Sequence, residues 1–166
     1  MKKSIIHKIK YGLITTLILS VCIFVDQLSK ILTNQKTIEF LGNFLRFESV
    51  HNIGAAYGIF AGKTMGLIIV TLLVILGLFA FNWFYKKKSI LYCFSMGLIF
   101  GGAIGNLIDR VFLGYVRDFI RMSIFSFTFN IADACLCVGV ALLVIYILFF
   151  DAKIFSKKKD NTNGTN

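Results

Sequence analysis

Two carboxylates, those of Asp118 and Asp133, are the side chains of this sequence best suited to chemistry on a substrate. Neither has an obvious fixed partner except the other, although Arg117 and Arg121 could reach Asp118. When two carboxyl groups meet in a partly dry site, both cannot ionise easily, so the pair shares a proton. Such a pair can hydrolyse a peptide bond, because one carboxylate takes a proton from water while its protonated partner polarises the scissile carbonyl group.

Amide and basic side chains flank both aspartates at helical spacings. Asn106, Asp109 and Arg110 stand at positions i, i+3 and i+4, and Asn130 stands three positions before Asp133. Residues at these spacings share one face of a helix, so each group can serve a common site. Each group also has a structural explanation. Asp109 and Arg110 could form a local pair, and an acidic residue in the first turn of a helix, such as Asp133, interacts favourably with the helix dipole.

Long apolar segments predict the helices that position these residues. The chain has 166 residues, 57% of them hydrophobic, no proline and a mean hydropathy of +0.80, which is too much apolar surface for one soluble core. A helix needs about 20 residues to cross about 30 Å of hydrocarbon. Segments of that length lie at about 11–33, 64–85, 89–112 and 131–150. We therefore predict an all-α polytopic membrane protein, a bundle of four transmembrane helices with external segments at about 34–63 and 113–130.

Basic residues predict the orientation of this bundle. Much of the net charge of +10 comes from lysine blocks in 2–10, 86–88 and 153–159, which four spans place on one side of the membrane. The positive-inside rule assigns that side to the cytoplasm, together with both termini and a basic, disordered tail at 153–166. Lipid phosphates are the expected neighbours of these blocks. No basic patch interleaved with aromatic residues indicates a nucleic-acid partner.

The cysteine and histidine residues do not predict a metal site or a cofactor. Cys22, Cys93, Cys135 and Cys137 fall in predicted helices and show no C-x-x-C spacing. Cys135 and Cys137 are two positions apart, so on a helix they point in different directions. Buried thiols acting as small apolar residues are the expected state.

The first external segment combines two predicted strands with a turn rich in small residues. Apolar and polar residues alternate over 37–40 and 45–48, a pattern typical of short half-buried strands. Asn52 and Gly54 follow in a run of glycine and alanine. This run is either a tight turn leading into an interfacial helix or a backbone-lined edge against which a substrate binds.

The predicted topology gathers the polar residues at the outer membrane face, the ends of the spans opposite the lysine blocks. The residues concerned are Asp26, Lys30, Asn52, Asn106, Asp109, Arg110, Asp118, Asn130 and Asp133. Asp26 and Lys30 are one helical turn apart and could form a local ion pair, but ionisable groups inside a membrane are costly and by default indicate function. A small transporter or proton-conducting protein would also use such groups. It would need ionisable residues in the inner halves of spans two to four as well, where the sequence has none.

Five short motifs carry a resemblance to a known family. They are D-Q-L-S-K at 26–30, N-I-G-A-A at 52–56, G-N-L-I-D-R at 105–110, V-R-D-F-I at 116–120 and F-N-I-A-D at 129–133. In this order, and over nearly the whole chain, they resemble the bacterial lipoprotein signal peptidases (signal peptidase II). The resemblance implies a single integral membrane peptidase domain at 1–152, in the bacterial cytoplasmic membrane, acting as a monomer without a cofactor. It would be an aspartic endopeptidase that removes the signal peptide of diacylglyceryl-modified prolipoproteins, cutting just before the lipidated cysteine.

The resemblance also implies a role for each matching residue. Asp118 and Asp133 would be the catalytic pair. Substrate binding or orientation of that pair would fall to Asn52, Gly54, Asn106, Arg110 and Asn130. Asp26, Lys30 and Asp109 would brace the site. The segment 34–63 would form a small extracytoplasmic β cradle and an interfacial helix that close over the substrate.

Two features depart from the pattern of that family. Arg117 stands where the family usually has an aliphatic residue, and the connection between Asp118 and Asp133 is shorter by a few residues. Both features bear on the geometry of the external segment and on substrate preference. A catalytically inactive relative is the alternative to an active peptidase.

Overall fold

Five stretches of the chain are described by the computed structural model: residues 2–34, 37–41, 44–54, 64–85 and 88–150. The elements, in order, are α1 (Lys2–Leu32), β1 (Thr37–Glu39), β2 (Leu45–Asn52), α2 (Thr64–Phe84), α3 (Ile90–Leu113), β3 (Val116–Met122), β4 (Thr128–Phe129) and α4 (Ile131–Ile145), which a π-helical turn (Tyr146–Phe150) continues. The predicted interfacial helix would occupy 55–63, which lies outside the described residues. The tail at 153–166 lies outside them too, so the division at residue 152 stays a prediction.

Four helices are long and apolar enough to cross a membrane. The spans are Ile9–Leu32, Thr64–Phe84, Ile90–Leu113 and Ile131–Phe150, with 24, 21, 24 and 20 residues. The predicted bundle of four spanning helices is therefore confirmed. The first helix begins well before its span, at Lys2, so the basic amino-terminal block is helical.

Helix α3 is the centre of the bundle. In an 18-residue apolar stretch of α3, 67% of the residues are buried, against 17% in such a stretch of α4, 11% in α1 and none in α2. It packs against α1 on one side and α4 on the other, and glycines make the close approach possible. A Cβ atom on Gly101 would lie 2.6 Å from the Cβ of Cys22, and one on Gly102 would collide with the carbonyl oxygen of Ala132. Small residues at these positions let the backbones of neighbouring helices approach α3 closely.

The helix ends of α3 determine where its polar residues lie. At the beginning, the Ser89 side chain caps the helix by accepting a hydrogen bond from the backbone N–H of Tyr92. At the end, Gly114 adopts a left-handed conformation with φ of 81° and closes the last turn onto Arg110, a geometry that glycine adopts without steric cost. The chain therefore reverses directly into β3 and brings that strand over the end of α3.

A four-stranded antiparallel sheet lies beside these helix ends. Its order is β1-β2-β3-β4, with Val50 opposite Asp118 and Asn52 opposite Val116 across the central pair. The two strands predicted in the first external segment are confirmed as β1 and β2. The second external segment, for which no strand was predicted, forms β3 and β4. Asp118 and Phe119 are both buried, so β3 lacks the alternation of apolar and polar residues by which a strand is recognised.

Candidate active site

Asp118 lies on β3 with both carboxylate oxygens engaged by side-chain amides. Its Oδ1 accepts a hydrogen bond from Asn130 Nδ2 at 2.6 Å, and its Oδ2 accepts one from Asn52 Nδ2 at 2.8 Å. Asn52 is held in turn by its own backbone, since its Oδ1 accepts from the N–H of Gly54 at 3.0 Å. The carboxyl group is only 2% exposed. Asp118 is thus fixed between the second strand and the start of the fourth helix.

Asp133 lies in the first turn of α4 and takes part in a reciprocal capping arrangement. The side chain of Asn130 accepts from the backbone N–H of Asp133 at 2.9 Å, and Asp133 Oδ2 accepts from the backbone N–H of Asn130 at 3.2 Å. This capping box satisfies N–H groups at the helix start that have no partner within the helix. It also leaves Asp133 with one fixed orientation, in which Oδ1 faces α3.

The two aspartates are joined through Asn106 and Asn130. Asn106 Nδ2 donates to Asp133 Oδ1 at 2.7 Å, and Asn106 Oδ1 accepts from Asn130 Nδ2 at 3.1 Å. Since the same Nδ2 of Asn130 donates to Asp118, a continuous chain of hydrogen bonds runs from one carboxylate to the other. The sequence placed these four residues at one site, and the structure brings them into direct contact.

A buried ion cluster supports this chain from behind. Lys30 Nζ lies 2.8 Å from Asp26 Oδ2 and 3.3 Å from Asp109 Oδ2, and the three side chains have no exposed surface. Lys30 also donates to Asn106 Oδ1 at 3.1 Å, and Asp26 Oδ1 accepts from the backbone N–H of Ala132 at 2.9 Å. The local pair between Asp26 and Lys30 is confirmed. Its lysine orients Asn106, and its aspartate fixes the start of α4.

Two pairings that the sequence allowed take other partners in the structure. Asp109 could have paired with its neighbour Arg110, but its salt-bridge partners are Lys30 and Arg117. Arg121, considered as a partner for Asp118, lies 2.7 Å from Glu48 instead. The half-buried Arg110 interacts electrostatically with Asp133 and Asp118, and its Nη1 lies 3.5 Å from the carbonyl oxygen of Asn106.

Sequence reasoning placed Arg117 near Asp118 and not beside Asp109, and it missed Gln27 as part of the site. Arg117 Nη2 lies 2.7 Å from Asp109 Oδ1 and donates to Gln27 Oε1 at 2.8 Å. Charge balance could have indicated the arginine, because Lys30 alone cannot neutralise two buried carboxylates, those of Asp26 and Asp109. No comparable signal indicated Gln27, whose role follows from tertiary packing.

Burial changes the protonation of Asp118. The loss of water around the carboxyl group, together with the negative charge of Asp133, raises the pKa of Asp118 to about 6. Hydrogen bonds from Asn52 and Asn130 and the charge of Lys30 oppose this rise because they stabilise the carboxylate. Asp118 can therefore gain or lose a proton close to neutral pH, which general acid or base catalysis requires.

The described residues do not include a cluster of three or more His, Cys, Asp or Glu side chains arranged to hold a metal ion. The chemistry available at this site is that of two carboxyl groups. They are linked by amides, partly shielded from water, and set beside an arginine and a buried ion cluster. Such an arrangement can activate a water molecule and polarise a carbonyl group.

Comparisons with known proteins agree with this chemistry. A family model described as signal peptidase (SPase) II, of the peptidase A8 class, matches residues 18–149. A lipoprotein signal peptidase from Clostridium acetobutylicum is 40% identical over 146 residues, covering 82% of this chain and 95% of that protein. One from Enterococcus faecalis is 39% identical over 159 residues, covering 90% and 94%. A solved bacterial membrane enzyme superposes with a TM-score of 0.75 at 32% identity, over 92% of this chain and 93% of the other.

Proposed function

This chain belongs to the signal peptidase II family of aspartic peptidases, which remove signal peptides from prolipoproteins in bacterial membranes, and we propose that Asp118 and Asp133 are its catalytic pair. The observation that carries the proposal is the hydrogen-bonded chain through Asn106 and Asn130, which connects the two carboxyl groups and fixes the orientation of each. An ion pair of structural value alone would not need two carboxylates linked by amides.

The cleavage follows from the shared proton of this pair. The ionised carboxylate removes a proton from a water molecule, which attacks the carbonyl carbon of the scissile peptide bond, while the protonated carboxyl group donates a hydrogen bond to the carbonyl oxygen. When the tetrahedral intermediate breaks down, a proton passes to the departing amine. The raised pKa of Asp118 allows it to hold the required proton near neutral pH, and Asn106 donates a hydrogen bond to Asp133 that fixes its orientation.

The substrate binds along the face of the sheet that carries Asp118. Residues opposite one another, or two apart on a strand, share a face, so Val50 and Ile120 lie on that face beside the carboxylate. This apolar strip suits the lipidated cysteine region of a diacylglyceryl-modified prolipoprotein, with cleavage just before the cysteine. Asn52, Gly54 and Arg110 at the end of the strip would hold the substrate backbone.

The charge pattern supports an orientation of the protein in the membrane. Both termini would be cytoplasmic and the catalytic pair would lie near the outer face, because the basic blocks and the polar site lie at opposite ends of the spans. Lipid headgroups would contact the basic blocks. A monomer suffices for the reaction, because the residues that hold Asp118 and Asp133 all come from one chain.

Cleavage of matched precursors tests this function. Purified protein in detergent is given a diacylglyceryl-modified prolipoprotein and the same precursor without lipid, and the products are measured by mass. We expect cleavage of the lipidated precursor only, at the bond before the modified cysteine. Equal cleavage of both precursors would refute the lipid requirement. No cleavage by folded protein would indicate an inactive relative, or, if the protein also carried protons into liposomes, the ion-conducting alternative.

A further inference from the structure

Arg117 fixes the strand that carries Asp118 to helix α3. Its guanidinium contacts Asp109 at two points, from Nη2 to Oδ1 at 2.7 Å and from Nε to Oδ2 at 3.2 Å. The backbone N–H of Arg117 donates to Oδ2 of the same carboxylate at 2.9 Å. Asp109 is fully buried. Both the main chain and the side chain of the residue preceding Asp118 are therefore attached to one rigid group by charge-assisted hydrogen bonds.

Gln27 extends this attachment to helix α1. Arg117 Nη2 also donates to Gln27 Oε1 at 2.8 Å, while Gln27 Nε2 donates to Asp109 Oδ1 at 3.2 Å and to the carbonyl oxygen of Gly105 at 3.1 Å. Arg117, Gln27 and Asp109 thus close a ring of hydrogen bonds that joins β3, α1 and α3. We call this ring the Arg117 clamp.

We propose that Arg117 is a positioning residue for cleavage, which holds β3 so that Asp118 stays in register with Asn130 and Asp133. The inference rests on the proposed catalytic role of the two aspartates. Successive residues of a strand point to opposite faces, so Arg117 acts on Asp118 through the backbone and not by contact. A displacement of about 1 Å at a catalytic group can cost about a hundredfold in rate. The hydrogen bond of 2.6 Å between Asp118 and Asn130 depends on this position.

Arg121 provides a matched control on the same strand. Like Arg117, it has a guanidinium group that contacts a carboxylate, with Nη1 donating to Glu48 Oε1 at 2.7 Å. Its side chain is 53% exposed, whereas that of Arg117 is 16% exposed. Exposed ion pairs contribute little to structure, so the loss of Arg121 should leave β3 in place.

The test compares the kinetics of five variants, four single and one double, on a lipidated prolipoprotein. We expect Arg117→Met, which keeps the apolar stem, to lower kcat about tenfold or more with KM within about twofold of wild type. Arg117→Lys should retain part of the lost activity, because it can still pair with Asp109. Gln27→Leu should lower kcat less than Arg117→Met does. Adding Gln27→Leu to Arg117→Met should lower kcat no further, because both residues act through one ring. Arg121→Met should lie within about twofold of wild type.

The pH profile separates positioning from a loss of folded enzyme. A smaller number of folded molecules lowers the whole pH profile without moving it. A displaced Asp118 loses burial, so its pKa falls and the alkaline limb of the profile, where Asp118 loses its proton, moves to lower pH. Unchanged kcat in Arg117→Met, an unmoved profile, or an equal loss in Arg121→Met would overturn the inference. If Arg117→Met does not fold, Arg117→Lys and Gln27→Leu carry the same test. Activity in Asp118→Asn would instead refute the catalytic pair itself, whatever the result for Arg117.

Discussion

Asp118→Asn should stabilise the folded protein above neutral pH while it abolishes cleavage. Burial is the main cause that raises the pKa of this carboxyl group to about 6, from a usual value of 3.8. At about 1.4 kcal/mol for each pH unit, this difference corresponds to about 3 kcal/mol by which ionisation of Asp118 destabilises the native state. Asparagine resembles the protonated acid in shape and carries no charge, so the substitution removes this cost. It also gives up one of the two hydrogen bonds from Asn52 and Asn130, because an amide nitrogen cannot accept one, so about 3 kcal/mol is the upper limit of the gain.

The sign of the pH dependence follows from the two pKa values. The native pKa lies above the unfolded one, so the folded protein binds the proton more tightly. The stabilisation that the folded protein gains from this bound proton is fully present below pH 3.8 and is lost as the pH rises through about 6. We therefore expect the free energy of unfolding of Asp118→Asn to exceed that of wild type by up to about 3 kcal/mol at about pH 8. The difference should vanish near about pH 4. Catalytic groups commonly reduce stability in this way.

Thermal unfolding in detergent, followed by far-UV circular dichroism at both pH values, measures this difference. The expected result is a Tm higher by several degrees for Asp118→Asn at the higher pH only. Asp109→Asn is the control, since its carboxylate is buried against Lys30 and Arg117; removing one member of a buried ion pair should lower the Tm. The reasoning would be refuted if the Tm of Asp118→Asn did not exceed that of wild type at the higher pH. It would also be refuted if the Tm were raised equally at both pH values.

Three further outcomes follow from the packing around the site, and a fourth variant, Gly77→Ala, is the control for one of them. Lys30→Met leaves the Asp26 carboxylate buried without its cation, so the free energy of unfolding should fall by about 3–5 kcal/mol, and a loss below about 1 kcal/mol would contradict the buried cluster. Gly102→Val places side-chain atoms against the backbone of α4 and should lower both Tm and activity. Gly77→Ala, with open space around it, should raise Tm slightly through helix propensity. Asn106→Leu removes the amide donor to the second aspartate, so kcat should fall about tenfold or more while KM changes little.

The parts of the fold that could be predicted from sequence are those set by local pattern. Long apolar segments identified the four spans, and alternation identified β1 and β2. Strand β3 was not predicted, because a buried carboxylate, Asp118, and a buried Phe119 interrupt its alternation of apolar and polar residues. The alternation fails there because the strand is covered by the helix ends on one side and carries the site on the other. A buried carboxylate thus removed the alternation by which its strand would be recognised.

The composition of the site was predictable, but its internal contacts were not. The spacing of Asn106, Asp109 and Arg110 showed that they share a helix face, and the topology brought them to the end of the bundle that holds the aspartates. Which partner each side chain takes depends on angstrom-scale packing between helices. Arg110 is adjacent to Asp109 in sequence, yet Arg117 pairs with it, because β3 folds back over the end of α3 at Gly114.

The most direct test of the catalytic pair is the cleavage rate of Asp118→Asn and Asp133→Asn on a lipidated prolipoprotein, with folding checked by circular dichroism. Glu48→Gln is the control, because it neutralises a carboxylate of the same sheet that pairs with Arg121 and not with the site. The account predicts a loss of about a thousandfold or more in kcat for both aspartate variants, and a nearly unchanged rate for the control. Substantial cleavage by either aspartate variant would contradict it.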